Sequence, residues 1–188
     1  GEKIGNMVVA SADLANSDGN VVYASQASIR MGDRDCYLDN DENSTRIRNA
    51  YVNYIETIMT LAGYKKKDAK RAAKNILKIE TEIAKATMTR EESRDISKMY
   101  NIYPIGKLKT EYPNIDWDNF FNTLQLKGVD KVCVTEPKAM AKINELLVTL
   151  KDQEIKDYLA YDLITSASSY LSDAFIDANF EMFSRVMS

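Results

Sequence analysis

Two long amphipathic helical stripes, set almost end to end, constrain this chain more than any other feature. Over residues 44–63, Ile47, Tyr51, Tyr54, Ile55, Ile58, Leu61 and Ala62 recur at three- and four-residue spacing, the pattern of a helix with one apolar face. Ser44 or Asn43 is the expected N-cap, and Gly63 supplies the expected left-handed C-cap. Over residues 68–86 a second stripe follows, formed by Ala69, Ala72, Ala73, Ile76, Leu77, Ile79, Ile83 and Ala84. The short turn between them predicts an antiparallel helical hairpin. The Lys65-Lys66-Lys67 run in that turn reads as a solvated end beside a helix C-terminus, where positive charge is favourable.

The remainder is predominantly helical. Thr89-Arg90-Glu91-Glu92 has the form of a capping box. Arg94-Asp95 and Tyr100-Asn101 lie in a polar connection rich in aromatics. Pro104 is placed to open a short helix, and Tyr112-Pro113 to close it. Residues 116–126 predict a helix capped by Asp116, anchored by Trp117, Phe120, Phe121 and Leu124, and stopped by Gly128. Residues 131–135 predict a short strand. Pro137 begins a helix carrying Met140, Ile143, Leu146, Leu147 and Leu150. Residues 152–169 predict another, with Ile155, Tyr158, Leu159 and Leu163 on one face, and Ser172-Asp173 begins a last one with Phe175, Ile176, Phe180 and Phe183. Near the start, residues 7–10 and 21–24 are short apolar runs separated by dense turn chemistry, a hairpin pattern. The expected fold is mainly α: a multi-helix domain with long helical hairpins and a few short strands near the N-terminus and around 131–135. In chain order this gives a β or irregular segment over 1–43 and a helical lobe over 44–188. The apolar helical pattern still running at Val186-Met187 points to a piece of something longer.

Composition enters where it excludes chemistry. The chain has no histidine, the residue most used for acid–base work near neutral pH and the commonest zinc ligand. Cys36 and Cys133 are far apart and form neither a metal spacing nor a redox motif, so two partly buried thiols are expected, with one disulfide as the alternative. A net charge of −3, from 25 basic and 28 acidic residues, argues against a nucleic-acid or anionic-membrane footprint. No apolar run approaches the roughly 20 residues of a membrane span. The acidic cluster Asp33, Asp35, Asp39, Asp41 and Glu42 fails as a calcium loop: with Asp39 first, Ser44 stands at the turn glycine and Ala50 at the bidentate glutamate. Glu80 and Glu82 are two apart on a helix and point to different faces, so they make no catalytic pair. Ser166, Ser168 and Ser169 have no histidine partner and read as small packing residues.

The order of short motifs carries a resemblance. Gln26, then Gly32-Asp33-Arg34-Asp35-Cys36-Tyr37-Leu38, Ile47-Arg48 with Tyr51, and Leu61-Ala62-Gly63-Tyr64 come first. Ile79-Glu80-Thr81 with Ala84, Arg94-Asp95, Tyr100-Asn101, Tyr112-Pro113 with Ile115-Asp116-Trp117, Lys156 with Tyr158-Leu159, and Tyr170-Leu171-Ser172-Asp173 with Phe175 follow. The series resembles the N-terminal, mostly helical region of the neprilysin and endothelin-converting-enzyme family of zinc endopeptidases, the bacterial oligopeptidase-O type in particular. The chain departs from the family pattern before Asp33, where Ala27-Ser28-Ile29-Arg30 intervene, at Cys36-Tyr37, and at Ile96.

The resemblance implies a non-catalytic lobe that helps to close a substrate chamber over a zinc site. The family's zinc-binding His-Glu-x-x-His helix is not in this chain, so no catalytic, cofactor-binding or metal-ligating residue is assigned here. Zinc is expected in a catalytic lobe of the same polypeptide, with oligopeptides as substrates and no nucleic-acid partner. An exported or cell-envelope location is likewise implied by the resemblance alone. The alternative is a free-standing helical binding or scaffold module; a carboxylate-only hydrolase would require a convergent pair that the sequence lacks.

Overall fold

A computed structural model describes residues 7–12, 21–167 and 172–188. The chain forms two compact units, each built from two separated segments. One contains Gly1–Ser28 and Ala86–Leu150, the other Ile29–Lys85 and Lys151–Ser188. Mainly helical structure is what the stripes predict, and it is what forms.

The first unit is organised on a four-stranded sheet of order β1-β2-β4-β3. Strand β1 (Val8–Ala12) lies antiparallel to β2 (Val21–Gln26), with Val8 opposite Gln26 and Ala10 opposite Ala24. The expected turn between them, residues 13–20, lies outside the described residues. Strand β4 (Lys131–Val134) lies parallel to β2, with Val22 opposite Val132. Its Val132, Cys133 and Val134 are fully buried, as suits a strand flanked on both edges. Strand β3 (Ile102–Pro104), which sequence periodicity does not reveal, is antiparallel to β4. Three residues are too few to show alternation, and Pro104 at its end fits an edge strand.

Pro104 is the N-cap of α5 (Ile105–Glu111) rather than its first residue. The capping box before α4 (Arg90–Ser93) is formed as read: Glu92 N–H donates to Thr89 Oγ1 at 3.1 Å, and Thr89 N–H donates to Glu92 Oε1 at 3.2 Å. Asp116 caps α6 (Trp117–Thr123) through Asn119 N–H at 3.0 Å. That helix stops earlier than Gly128 implies. Gln125 takes the left-handed conformation at φ 57°, and its N–H and that of Leu126 return to Asn122 and Phe121 carbonyls. Helix α7 (Pro137–Thr149) starts on its proline and buries Met140, Ile143 and Leu146. The unit's aromatic core is Trp117, Phe120, Phe121, Tyr112 and Tyr103. Trp117 donates its indole N–H to the Tyr112 carbonyl at 3.1 Å.

The second unit is helical: α1 (Asp35–Leu38), α2 (Glu42–Leu61), α3 (Lys66–Ala86), α8 (Asp152–Ala167) and α9 (Asp173–Phe180), then wide π-type turns over Glu181–Val186. The N-cap of α2 is Asp41, not Ser44 or Asn43; its carboxylate accepts from Ser44 N–H at 3.1 Å. The acidic loop thus supplies a favourable charge at a helix N-terminus. At the other end Gly63, at φ 106°, returns its N–H to Thr60 while Tyr64 reaches Met59, a complete Schellman motif.

Helix α8 departs from expectation. Leu163 is 71% exposed, and the buried face consists of Glu154, Ile155, Asp157, Tyr158, Tyr161 and Thr165. A polar buried face is invisible to an apolar-periodicity argument. In α9 Phe175 is buried, whereas Ile176 and Phe180 face solvent, and Phe183 meets Tyr54 edge-on at 5.1 Å. Ser168, Ser169, Tyr170 and Leu171 lie outside the described residues. Among the described residues, no helix is long and apolar enough to cross a membrane.

Candidate functional site

The helical unit converges on one carboxylate. Glu80 projects from α3 into the core and is 6% exposed. Tyr37 from α1 donates its hydroxyl to Glu80 Oε2, and Tyr51 from α2 donates to Glu80 Oε1 at 2.8 Å. The Tyr51 hydroxyl also meets that of Tyr161 from α8 at 2.8 Å, and Met31 N–H donates to Tyr37 Oη at 3.0 Å. Arg30 sits at the solvent rim. Its guanidinium donates to Thr165 Oγ1 at 2.6 Å and lies 5.4 Å from the centre of the Tyr161 ring.

Why these residues meet is local. Tyr51 and Tyr54 share the buried face of α2, while Glu80 falls on the same face of α3 as Ile76 and Ile83. A carboxylate placed there must be hydrogen-bonded, because an unpaired buried charge is far costlier than a paired one. Burial raises the Glu80 carboxyl above its usual range, and the hydrogen bonds from Tyr37 and Tyr51 together with the Arg30 charge offset only part of the rise. Burial and the neighbouring Glu80 push the Tyr37, Tyr51 and Tyr161 hydroxyls upward, so each remains a donor. With both oxygens occupied, Glu80 is built to join four elements rather than to take a proton from a substrate. Glu82, beside it in sequence, instead pairs with Lys85 at 3.1 Å at the surface.

A second polar cluster ties α3 to α8. Asp157, fully buried, accepts from Arg71 Nε at 3.1 Å, Arg71 Nη2 at 3.2 Å, Asn75 Nδ2 at 2.8 Å and Gln153 Nε2 at 2.9 Å. Lys78 and Glu154 add an ion pair at 2.5 Å.

None of this fits a metal centre. Among the described residues, no three histidine, cysteine or acidic side chains come together as a ligand set, and the sequence has no imidazole. Cys36 and Cys133 are thiols. Asp41, from the acidic run, is committed to capping α2. A cleft of 320 Å³ lies within the helical unit between α2 and the last helical segment, lined by Ala50, Tyr54, Ala178, Met182 and Val186 among others. It holds no convergent set of titratable groups. Sequence reasoning missed the Glu80 and Asp157 clusters; the signal was a charged residue on an otherwise apolar stripe, with tyrosines at matching depth on the neighbouring helices.

A unit with a buried tyrosine–glutamate knot and a unit built on a small mixed sheet both have clear counterparts. Residues 3–188 match the N-terminal region of Peptidase family M13. The chain belongs to that family, as its neprilysin-like motif order implied. It is 31% identical over 185 residues to endothelin-converting enzyme 1 of Cavia porcellus, which covers 96% of this chain and 24% of that protein. It is 30% identical over 177 residues to the endothelin-converting enzyme homolog of Locusta migratoria, with 88% and 24% covered. The fold is that of zinc metalloprotease Zmp1 of Mycobacterium tuberculosis in its open state, with a TM-score of 0.85 at 23% identity over 98% of this chain and 29% of that one. The inhibitor complex of the same protease gives a TM-score of 0.81. The chain thus spans about a quarter of the length of the curated relatives it matches.

Proposed function

We propose that this chain is the non-catalytic, chamber-forming region of a zinc metallo-endopeptidase that hydrolyses oligopeptides, and that it is inert alone. The observation that carries the reading is the combination of family membership across residues 3–188 with the complete absence of histidine. A zinc peptidase needs imidazole or equivalent ligands at an open metal site. This chain has no imidazole, and its described residues bring no ligand set together, so the reading assigns ligands and chemistry to the remainder of the polypeptide. The contribution left for these residues is shape: a rigid helical wall that excludes water and limits substrates by size. The Glu80 and Asp157 clusters support that role, because the first joins α1, α2, α3 and α8 and the second ties α3 to α8, neither exposing a reactive group. The same reading implies an exported or envelope-associated enzyme.

The test uses a quenched oligopeptide. The complete polypeptide should cleave it, a chelator should abolish cleavage and added zinc should restore it, while the 188-residue chain should show neither cleavage nor stoichiometric zinc after dialysis. Chelator-insensitive cleavage by the complete protein would refute the assignment, as would zinc retained by this chain.

A further inference from the structure

Net charge conceals how the charge of this chain is distributed. Helix α3 opens with Lys66 and Lys67 and continues with Lys70, Arg71, Lys74 and Lys78. At about 100° per residue, Lys67, Lys70, Lys74 and Lys78 fall within an arc of about 80°, opposite the buried face of Ala69, Ala72, Ala73 and Ile76. Lys65, Lys66, Lys67, Lys70 and Lys74 are all exposed. Arg71 and Lys78 are consumed by Asp157, Asp68 and Glu154. The other five lysines form no ion pair among the described residues. Asp68, in the first turn of α3, is taken by Arg71, and Glu56 shares the lining of a shallow groove with Lys66.

This placement works against the helix. Positive side chains at the first positions of an α-helix oppose its dipole, and the unpaired Lys67, Lys70 and Lys74 on one face, with Lys65 and Lys66 at the adjoining helix start, repel one another. From Lys67 to Lys74 the rise is about 10 Å, close to the screening length of physiological salt, roughly 8 Å, so the charges act in concert. The surface is convex. Lysines radiating from a helix cannot converge on one small anion, and their flexible point charges lack the bidentate geometry that reads a particular phosphate. They suit a plane of laterally mobile phosphates.

We propose that the outer face of α3 is an electrostatic docking surface for an anionic lipid bilayer. Lys67, Lys70 and Lys74 on that face, with Lys65 and Lys66 where the chain enters the helix, would contact headgroup phosphates without insertion, since no large apolar side chain lies between Lys67 and Lys74. The inference rests on charge placement in the helical unit and does not depend on the peptidase reading.

The experiment is co-sedimentation of the purified protein with vesicles of phosphatidylcholine mixed with phosphatidylglycerol, against vesicles of phosphatidylcholine alone. Binding is expected only to the anionic vesicles and should be released by salt. The triple variant Lys67→Glu, Lys70→Glu, Lys74→Glu should lose about tenfold or more in apparent affinity. The milder Lys67→Gln, Lys70→Gln, Lys74→Gln should lose less, and Lys127→Glu on the other unit should change little. Unchanged far-ultraviolet circular dichroism shows that each variant is folded. Equal binding to both vesicle types, or none, would overturn the proposal. So would binding that survives the triple reversal, displacement by inorganic phosphate at matched ionic strength, or tighter binding to a short DNA duplex than to the anionic vesicles.

Discussion

Tyr51 on α2 and Glu80 on α3 share a hydrogen bond of 2.8 Å in the interior of the helical unit, 29 residues apart in sequence. The same hydroxyl touches Tyr161 on α8, so one phenol joins three helices. Removing only that oxygen isolates its contribution. Tyr51→Phe should lower unfolding stability by about 1–3 kcal/mol, the cost of leaving a buried acceptor unsatisfied, with little change in helix content. Chemical denaturation followed by circular dichroism reads the difference. Loss of less than a few tenths of a kcal/mol would mean that water or another donor replaces the phenol.

The carboxyl of Glu80 also sets a pH dependence. Burial raises it above its usual value, and Tyr37, Tyr51 and Arg30 offset part of that. The native state therefore holds the Glu80 proton at pH values where the unfolded chain has released it. That contribution to stability is complete below the unfolded-state pKa and is lost as pH rises through the folded-state pKa. Glu80→Gln removes the titration but keeps the shape. The stability of the unsubstituted protein minus that of Glu80→Gln should increase as pH falls from neutrality towards the ordinary glutamate range. A difference that shrinks on acidification would show that hydrogen bonds outweigh burial and that the shift has the opposite sign.

Much of the architecture was legible because periodicity and caps are local. Ile47, Ile58, Ile76 and Ile83 marked the faces of α2 and α3, and Thr89 with Glu92, Asp116, Pro137 and Gly63 marked ends that exist. What periodicity does not encode is partnership. Val22 pairs with Val132 across more than a hundred residues, and nothing in either short run specifies a parallel neighbour. Strand β3 is too brief to show alternation. The polar clusters were hidden for a different reason: Glu80 and Asp157 look solvent-bound until tyrosine, arginine and asparagine donors on other helices are placed beside them. Leu163 failed in the converse way, since α8 buries its polar residues and leaves that leucine outside. The family was legible from motif order, which constrains many positions at once where each motif alone constrains few.

The Asp157 cluster predicts an asymmetry between its two charged partners. Asp157 has 1% of its side chain accessible, whereas Arg71 has 38% and also reaches Asp68 at 2.7 Å. Truncating Arg71 strands a buried carboxylate with only Asn75 and Gln153. Neutralising Asp157 leaves a guanidinium that can turn to water and to Asp68. Arg71→Ala should therefore cost about 3 kcal/mol and Asp157→Asn about 1–2 kcal/mol, measured as shifts of the denaturation midpoint at constant slope. The reverse order would place the energetic weight on the arginine's packing instead of on the buried charge.

Two helix ends make a matched test of backbone conformation. Gly63 and Gln125 occupy the equivalent position in two Schellman motifs, after α2 and after α6, with φ of 106° and 57°. A Cβ added at Gly63 would meet no atom within 4 Å, so Gly63→Ala tests conformational strain without a clash and should destabilise by about 1–2 kcal/mol. Gln125 already bears the penalty of a left-handed residue with a side chain. Gln125→Gly relieves it and should stabilise by roughly 0.5–1 kcal/mol, reduced by the extra entropy glycine has in the unfolded chain. Opposite signs at the two sites, read from thermal or urea unfolding, are the expected outcome. Destabilisation by Gln125→Gly would show that the Gln125 side chain contributes more at this helix end than its backbone conformation costs.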